Sequence, residues 1–298
     1  MLPLGRISPE TAIKAAAGCF LRSRNLPSAR MLSALSIAGS DPTGGAGLQA
    51  DLQVFAALGI HGGAVPTALT TQDGRRVHQV LPVFPSALLE TLRMTLDAIR
   101  PAAIKIGMLG TDDVVRNTLL ALAPLPDTPV VIDPVLAASD GSPLLERRAY
   151  PALRNLAFRR SLLTPNWPEA EILTGASLPR LRDGEAAARE LLEDLELDGV
   201  LLKGGHLDGD ASDLLVLRER ASGEDAKNGK VTTEWLPGER IPGEPVHGTG
   251  CALSAAITAH LALGHPLRES VVRARAFVRD AIARAETLDS GARILRYT

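Results

Sequence analysis

The chain has 298 residues, 45% of them apolar, and its 32 basic and 34 acidic side chains leave a net charge of −2. That is apolar matter for one large core or two domains. The near-neutral balance argues against a nucleic-acid or anionic-membrane partner, and an aromatic content of 3% argues against stacking platforms for single strands. The two cysteines, Cys19 and Cys251, lie far apart. They form neither a disulfide framework nor a metal knuckle, so a reducing cytoplasm is the expected setting. No apolar run approaches the ~20 residues that cross a bilayer.

Residues 1–30 are basic (Arg6, Lys14, Arg22, Arg24, Arg30), and Glu10, Thr11 and Lys14 break what would be the apolar centre of a signal peptide. An extension outside the fold is the preferred reading, with Met31 as an alternative start; a short docked helix is the other. From residue 31 onward apolar strands alternate with helical patterns. Strands are expected at 33–38, 63–70, 77–83, 103–108, 129–133, 161–164 and 199–203, with a late β pair at 213–217 and 231–236. Helices are expected at about 45–58, from Pro85 to Arg100, at 112–122 behind a Thr111 cap, from Pro168, and at 249–263 and 268–287. The polar stretch 218–230 reads as a surface loop, and the arginines of the last helix as a solvated face. This alternation predicts a single α/β domain over 31–298, a three-layer sandwich around a mostly parallel sheet. Ligands of such sheets bind at the carboxyl ends of the strands.

Five stretches could carry chemistry. In "PVHGTGCALS", Gly248, Thr249 and Gly250 open a helix just before Cys251. Helix N-termini offer free N–H groups and positive potential, glycines admit a phosphate closely, and the same dipole would lower a thiol's pKa. The alternative is a cysteine that fills core space. "AGSDPTGGAGLQAD" carries Gly45, Gly47 and Ala50 in the spacing of a dinucleotide fingerprint, but six residues separate the strand from the first glycine. A loop lining a small-molecule site fits better, with Asp51 buried to accept from an amine or hydroxyl; otherwise Asp51 is a surface charge. In "LLTPNWPEAEILTG", Asn166 and Glu169 either hold a hydrated Mg²⁺ or form a capping box. Lys203 of "LLKGGHLDGD" suits phosphate contact or a plain turn. Asp133 ends a strand before Pro134, either near Mg²⁺–phosphate or as a turn residue. No Walker A loop is present.

Six stretches in one order, "SIAGSDPTGGAGLQADLQVFAALG", "KIGML", "VIDPVL", "TPNWPEAEILTG", "LLKGGHL" and "HGTGCALSAAI", resemble the hydroxymethylpyrimidine/phosphomethylpyrimidine kinases of thiamine biosynthesis, in the ribokinase-like superfamily; they span about residues 36–257. The resemblance implies a ribokinase-like fold, ATP and Mg²⁺, two successive phosphorylations of a hydroxymethylpyrimidine, and a homodimer with no nucleic-acid or membrane partner. It implies that Gly39, Asp51, Gln72, Met108 and Val135 contact the pyrimidine, and that Gly248, Thr249 and Gly250 form the anion hole. Cys251 then stands where related sugar kinases carry an aspartate base. Asn166 and Lys203 would face the nucleotide, and Asp133 and Glu169 the metal. The rival readings are a pyridoxal/pyridoxine kinase of the same superfamily, a non-catalytic pyrimidine sensor, and a dinucleotide-dependent oxidoreductase, which would leave the Gly-Thr-Gly-Cys turn without a task.

Overall fold

The structure, a computed structural model, describes residues 31–138, 140–156, 161–206, 211–219 and 229–298. The expectations for residues 1–30, and for 220–228 of the polar stretch, lie outside the described residues. Leu32–Thr298 cluster as one compact unit.

Strand β1 (Ser33–Ser40) is buried along almost its whole length, as a strand covered on both faces must be. It leads through a glycine-rich loop to α1 (Gly47–Ala57), then β2 (His61–Gln72) and β3 (Val77–Pro82). α2 (Pro85–Ile99) starts on a proline and stops at Arg100, which takes a left-handed conformation. β4 (Ala103–Ile106) is followed by α3 (Asp112–Leu122), whose first turn carries Asp112 and Asp113 behind the predicted Thr111 cap. Next come β5 (Val130–Ile132), α4 (Tyr150–Arg154), β6 (Ser161–Leu163), α5 (Trp167–Thr174), α6 (Leu181–Asp194) and β7 (Gly199–Leu202). The late pair β8 (Asp213–Arg218) and β9 (Val231–Leu236) forms as expected, and α7 (Thr249–Ala262) and α8 (Leu267–Ala283) follow.

The nine strands run β3-β2-β1-β4-β5-β6-β7-β8-β9. Those from β2 to β7 pair in parallel, while β3, β8 and β9 add on antiparallel. Alternate residues of each strand enter different cores. Leu35, Ile37, Val130 and Ile132 pack with α2 to α6, whereas Ala34, Val131 and Leu201 pack with α1, α7 and α8. The expected three layers follow from this period of two.

Three features differ from the sequence reading. α4 and α6 were not anticipated. α6 carries Gly184 within it, normally a helix-weakening residue, because any Cβ there would overlap the Trp167 ring. The last helix ends at Ala283, not 287: Glu286–Thr287 (β10) pairs with Arg293–Ile294 (β11) across a Leu288–Gly291 turn. That hairpin then lies beside the Gly-Thr-Gly-Cys turn, with His247 N–H donating to Arg293 O at 2.8 Å. Three arginines of α8 pair outward with acidic partners, Arg268 with Glu234, Arg273 with Glu269 and Arg279 with Glu239, whereas Arg275 turns inward to Asp213 at 2.7 Å, against the expectation of a wholly solvated face.

Candidate active site

Gly248 caps α7 in a left-handed conformation (φ 82°), no side chain caps the helix, and its first turn holds no acidic residue. The leading N–H groups of a 14-residue helix are thus left for an outside acceptor. Only glycine fits at 248, because a Cβ there would overlap the carbonyl oxygen of Gly45. The Gly-Thr-Gly turn and the loop at 41–47 therefore touch backbone to backbone.

Asp41 organises that loop. Its buried carboxylate accepts from Thr43 N–H (2.9 Å), the Thr43 hydroxyl (2.8 Å) and Ala46 N–H (2.8 Å), and stands 2.9 Å from His247 Nε2. Burial alone would raise Asp41, but His247 and Thr43 outweigh it and hold the carboxyl below its ordinary value. The six residues that seemed too many for a Rossmann turn are this Asp41-centred coil. The loop is not a dinucleotide fingerprint, although Gly45, Gly47 and Ala50 have its spacing.

Cys251 keeps part of its surface open, yet protein packs densely about the sulfur. This overturns the expectation that the helix would lower its thiol pKa. Burial pushes the thiol up, and the Asp133 and Asp51 carboxylates add to the rise against Lys105 and the Gly47 N–H, which favour thiolate. Beneath it, Lys105 Nζ lies 2.8 Å from Asp51 Oδ2, both side chains fully buried, and the Ser36 hydroxyl donates to the same oxygen at 2.5 Å. Asp51 is not the surface charge of the alternative reading, nor does it wait wholly for a ligand: one oxygen is spent on Lys105 and Ser36, and Oδ1 has no hydrogen-bond partner among the described residues. Burial lowers Lys105, but Asp51, Cys251 and Asp133 pull it well above the ordinary lysine range, so the ammonium stays charged.

On the other side of Gly250, Lys203 Nζ donates to Asp133 Oδ1 at 2.8 Å and lies 3.9 Å from Glu169 Oε2. A Cβ on Gly250 would stand 3.4 Å from Lys203 Nζ and 3.7 Å from Asp133 Oδ2, so the glycine turn abuts this cluster. Asn166 and Glu169 form the reciprocal capping box of α5. Glu169 also accepts from Leu136 N–H at 3.4 Å. Burial raises Glu169 despite Lys203, and Lys203 is itself held above its ordinary value by Asp133 and Glu169 against burial. Asn166 and Lys203 are bridged as neighbouring backbone partners.

Of the residues expected on the acceptor side, Gly39, Gln72 and Met108 gather at the ends of β1, β2 and β4. Gly39 admits Met108, since a Cβ there would stand 2.7 Å from Met108 Sδ. Gln72 ends β2 and donates from Nε2 to Thr70 Oγ1 at 2.8 Å. Val135 sits just beyond β5 at φ 27°, strained for a β-branched residue. Most residues singled out from the sequence thus lie at or just past the carboxyl ends of the strands or at the α7 start, while Asp51 sits within α1 and Glu169 in the first turn of α5. Missed were Lys105, Ser36, Asp41 and His247. A lysine inside the apolar run "AIKIG" was a legible signal, because a buried lysine demands a partner.

A mostly parallel sheet with a glycine-opened helix facing its strand ends, over buried lysine–carboxylate pairs, defines a ribokinase-like small-molecule kinase. The chain belongs to the phosphomethylpyrimidine kinase family, whose profile matches residues 41–296. It is 38% identical over 264 residues to the hydroxymethylpyrimidine/phosphomethylpyrimidine kinase of Escherichia coli (strain K12), covering 88% of this chain and 95% of the relative. It is 37% identical over 285 residues to the thiamine biosynthesis bifunctional protein ThiED of Geobacter sulfurreducens, covering 95% of this chain but 55% of that longer relative. Among solved structures it resembles the phosphomethylpyrimidine kinase of Clostridium difficile 630 (TM-score 0.71, 34% identity, 84% of this chain and 99% of that one). It also resembles the pyridoxal kinase of Bacillus subtilis in complex with ADP (TM-score 0.77, 32% identity, 90% and 97%).

Proposed function

We propose that the chain transfers the γ-phosphoryl group of ATP to the hydroxymethyl oxygen of 4-amino-5-hydroxymethyl-2-methylpyrimidine, and then a second phosphoryl group to that monophosphate, as a step of thiamine biosynthesis. The observation that carries this reading is the uncapped start of α7, with Cys251 in its first turn and the Lys105–Asp51 pair below. In the reading, the pyrimidine lies among Gly39, Asp51, Gln72, Met108 and Val135, and the triphosphate reaches the turn from the side of Asn166 and Lys203.

The acceptor hydroxyl oxygen forms a bond to the γ-phosphorus as the bond to the β,γ-bridging oxygen breaks, and ADP leaves with that oxygen. The hydroxyl proton passes to Cys251 in its thiolate form. Amides of Gly248, Thr249, Gly250 and Cys251 meet the charge on the phosphoryl oxygens; removing one such donor costs roughly 10²–10³ in rate in enzymes built this way. Positioning and electrostatics dominate phosphoryl transfer, so a thiol that is mostly protonated near neutrality suffices.

Asp133 and Glu169 do not offer Mg²⁺ an all-protein cage. Asp133 is paired to Lys203, both Glu169 oxygens accept backbone N–H groups, and no group of three or more metal-ligating side chains exists among the described residues. They fit instead a hydrated Mg²⁺ carried by ATP, touched through its waters. When bound, that ion neutralises phosphate charge.

A cytoplasmic homodimer completes the proposal. The free Cys251 thiol and the exposed Leu69, Leu81 and Phe84 about β3 support it, and solution mass tests the dimer. The second reading, a pyridoxal kinase, is favoured by the fold similarity to the Bacillus subtilis pyridoxal kinase. ADP release separates the two: turnover with the hydroxymethylpyrimidine and its phosphate, abolished by a Cys251→Ala change, supports the first, and turnover with pyridoxal alone supports the second. Tight pyrimidine binding without ADP release would make the chain a sensor.

A further inference from the structure

Gln72 ends β2 with Thr70 two residues earlier on the same face of the strand. Here the strand pairing is irregular. The β1–β2 register slips between Ala38 and Ser40, and the β2–β3 register steps between Thr71 and Gln72. Such irregularities re-aim side chains at strand ends. A chain of hydrogen bonds runs through this irregular stretch. The Thr70 hydroxyl donates to the backbone carbonyl of Ser40 at 2.7 Å, and Gln72 Nε2 donates to Thr70 Oγ1 at 2.8 Å.

The polarity of this chain is not free to reverse. A backbone carbonyl carries no hydrogen, so Thr70 must spend its single proton on Ser40. What the hydroxyl then shows Gln72 is lone pairs only. An amide turned the other way would set its oxygen against them, so Gln72 keeps its NH₂ group toward Thr70 and its Oε1 away from it. The Ser40 end is itself pinned: Gln49 Nε2 donates to the Ser40 hydroxyl at 2.7 Å, and Gln49 Oε1 accepts from Asp41 N–H at 2.9 Å. An amide can read either a donor or an acceptor; this one is held as an acceptor before any ligand arrives.

We infer that Thr70 sets acceptor specificity as a positioning residue, by fixing the Gln72 amide so that its oxygen, not its nitrogen, meets the ring substituent. The inference rests on the reading that Gln72 faces the pyrimidine. An exocyclic amine donates to that oxygen; an oxo group at the same ring position opposes lone pair to lone pair.

The test compares kcat/KM for the 4-amino acceptor with that for its 4-oxo analogue. The unaltered protein prefers the amine. Thr70→Val keeps the shape and β-branching of the side chain but frees the amide to flip, and the preference falls about tenfold, chiefly through KM of the amine. Thr70→Ser restores it. Gln72→Glu has no amide to orient, so adding Thr70→Val to it leaves the preference unchanged. In the ligand-free protein, the Gln72 side-chain NH₂ protons exchange slowly with solvent and quickly after Thr70→Val. An unchanged preference in Thr70→Val, or an equal fall in the Gln72→Glu background, overturns the inference while the kinase reading stands. If the unaltered protein does not turn over the aminopyrimidine, both fail, and that is seen before any variant is made.

Discussion

Gly248→Ala is the sharpest probe of the phosphoryl turn. Gly248 lies at φ 82°, and an added Cβ would stand 2.9 Å from the Gly45 carbonyl carbon and overlap its oxygen, where ordinary contact begins at 3.4 Å. The left-handed conformation costs an alanine about 1–2 kcal/mol, a fraction of the ~5–15 kcal/mol that holds a typical domain folded. The clash is relieved only by parting the 41–47 loop from the start of α7, and a shift of ~1 Å between reacting groups costs about 10²-fold in rate. The variant is therefore expected to remain folded, with an unfolding free energy in urea lowered by that modest amount, and to lose about a hundredfold in kcat with a smaller change in KM for ATP. Steady-state ADP release and urea melts on the same preparation give both numbers. A folded Gly248→Ala protein with kcat within about threefold of the unaltered protein would refute the argument that this contact aligns acceptor and phosphoryl group.

Two further outcomes follow from the buried charges. Asp51→Asn strands the Lys105 ammonium without a carboxylate and is expected to cost about 3–5 kcal/mol in urea unfolding, much of it recovered by adding Lys105→Met; equal losses in the single and double variants would show that the pair does not constrain the core. Because burial raises the Cys251 thiol above its ordinary value of 9.0, the thiolate fraction climbs about tenfold per pH unit across the neutral range. Log kcat should then rise with a slope near one between about pH 7 and 9 and lie low and flat in Cys251→Ser; a flat profile in the unaltered protein would remove Cys251 as proton acceptor.

The fold was largely legible, because buried parallel strands read as apolar runs and α3 and α5 announced their caps at Thr111 and Asn166. The candidate site was legible in its positions, as a set of residues near strand ends and helix starts. What stayed hidden depends on contacts distant in sequence. Nothing near Asp51 says that Lys105, 54 residues on, will claim one of its oxygens, and nothing near Asp41 points to His247, 206 residues away. The direction of the Cys251 shift was misread for the same reason: the helix dipole is a local feature, whereas burial and the two carboxylates come from other parts of the fold. Asn166 and Glu169 had a local answer, the capping box, and the structure realises it.

If backbone amides at the start of α7 hold the phosphoryl group in flight, a crystal structure with ADP, aluminium fluoride, Mg²⁺ and the hydroxymethylpyrimidine will show it. Fluoride or oxygen atoms of the phosphoryl mimic are expected about 3 Å from the amide nitrogens of residues 249–251, in line with the hydroxymethyl oxygen and beside Cys251. A mimic bound away from α7, with that helix start facing only solvent, would contradict it.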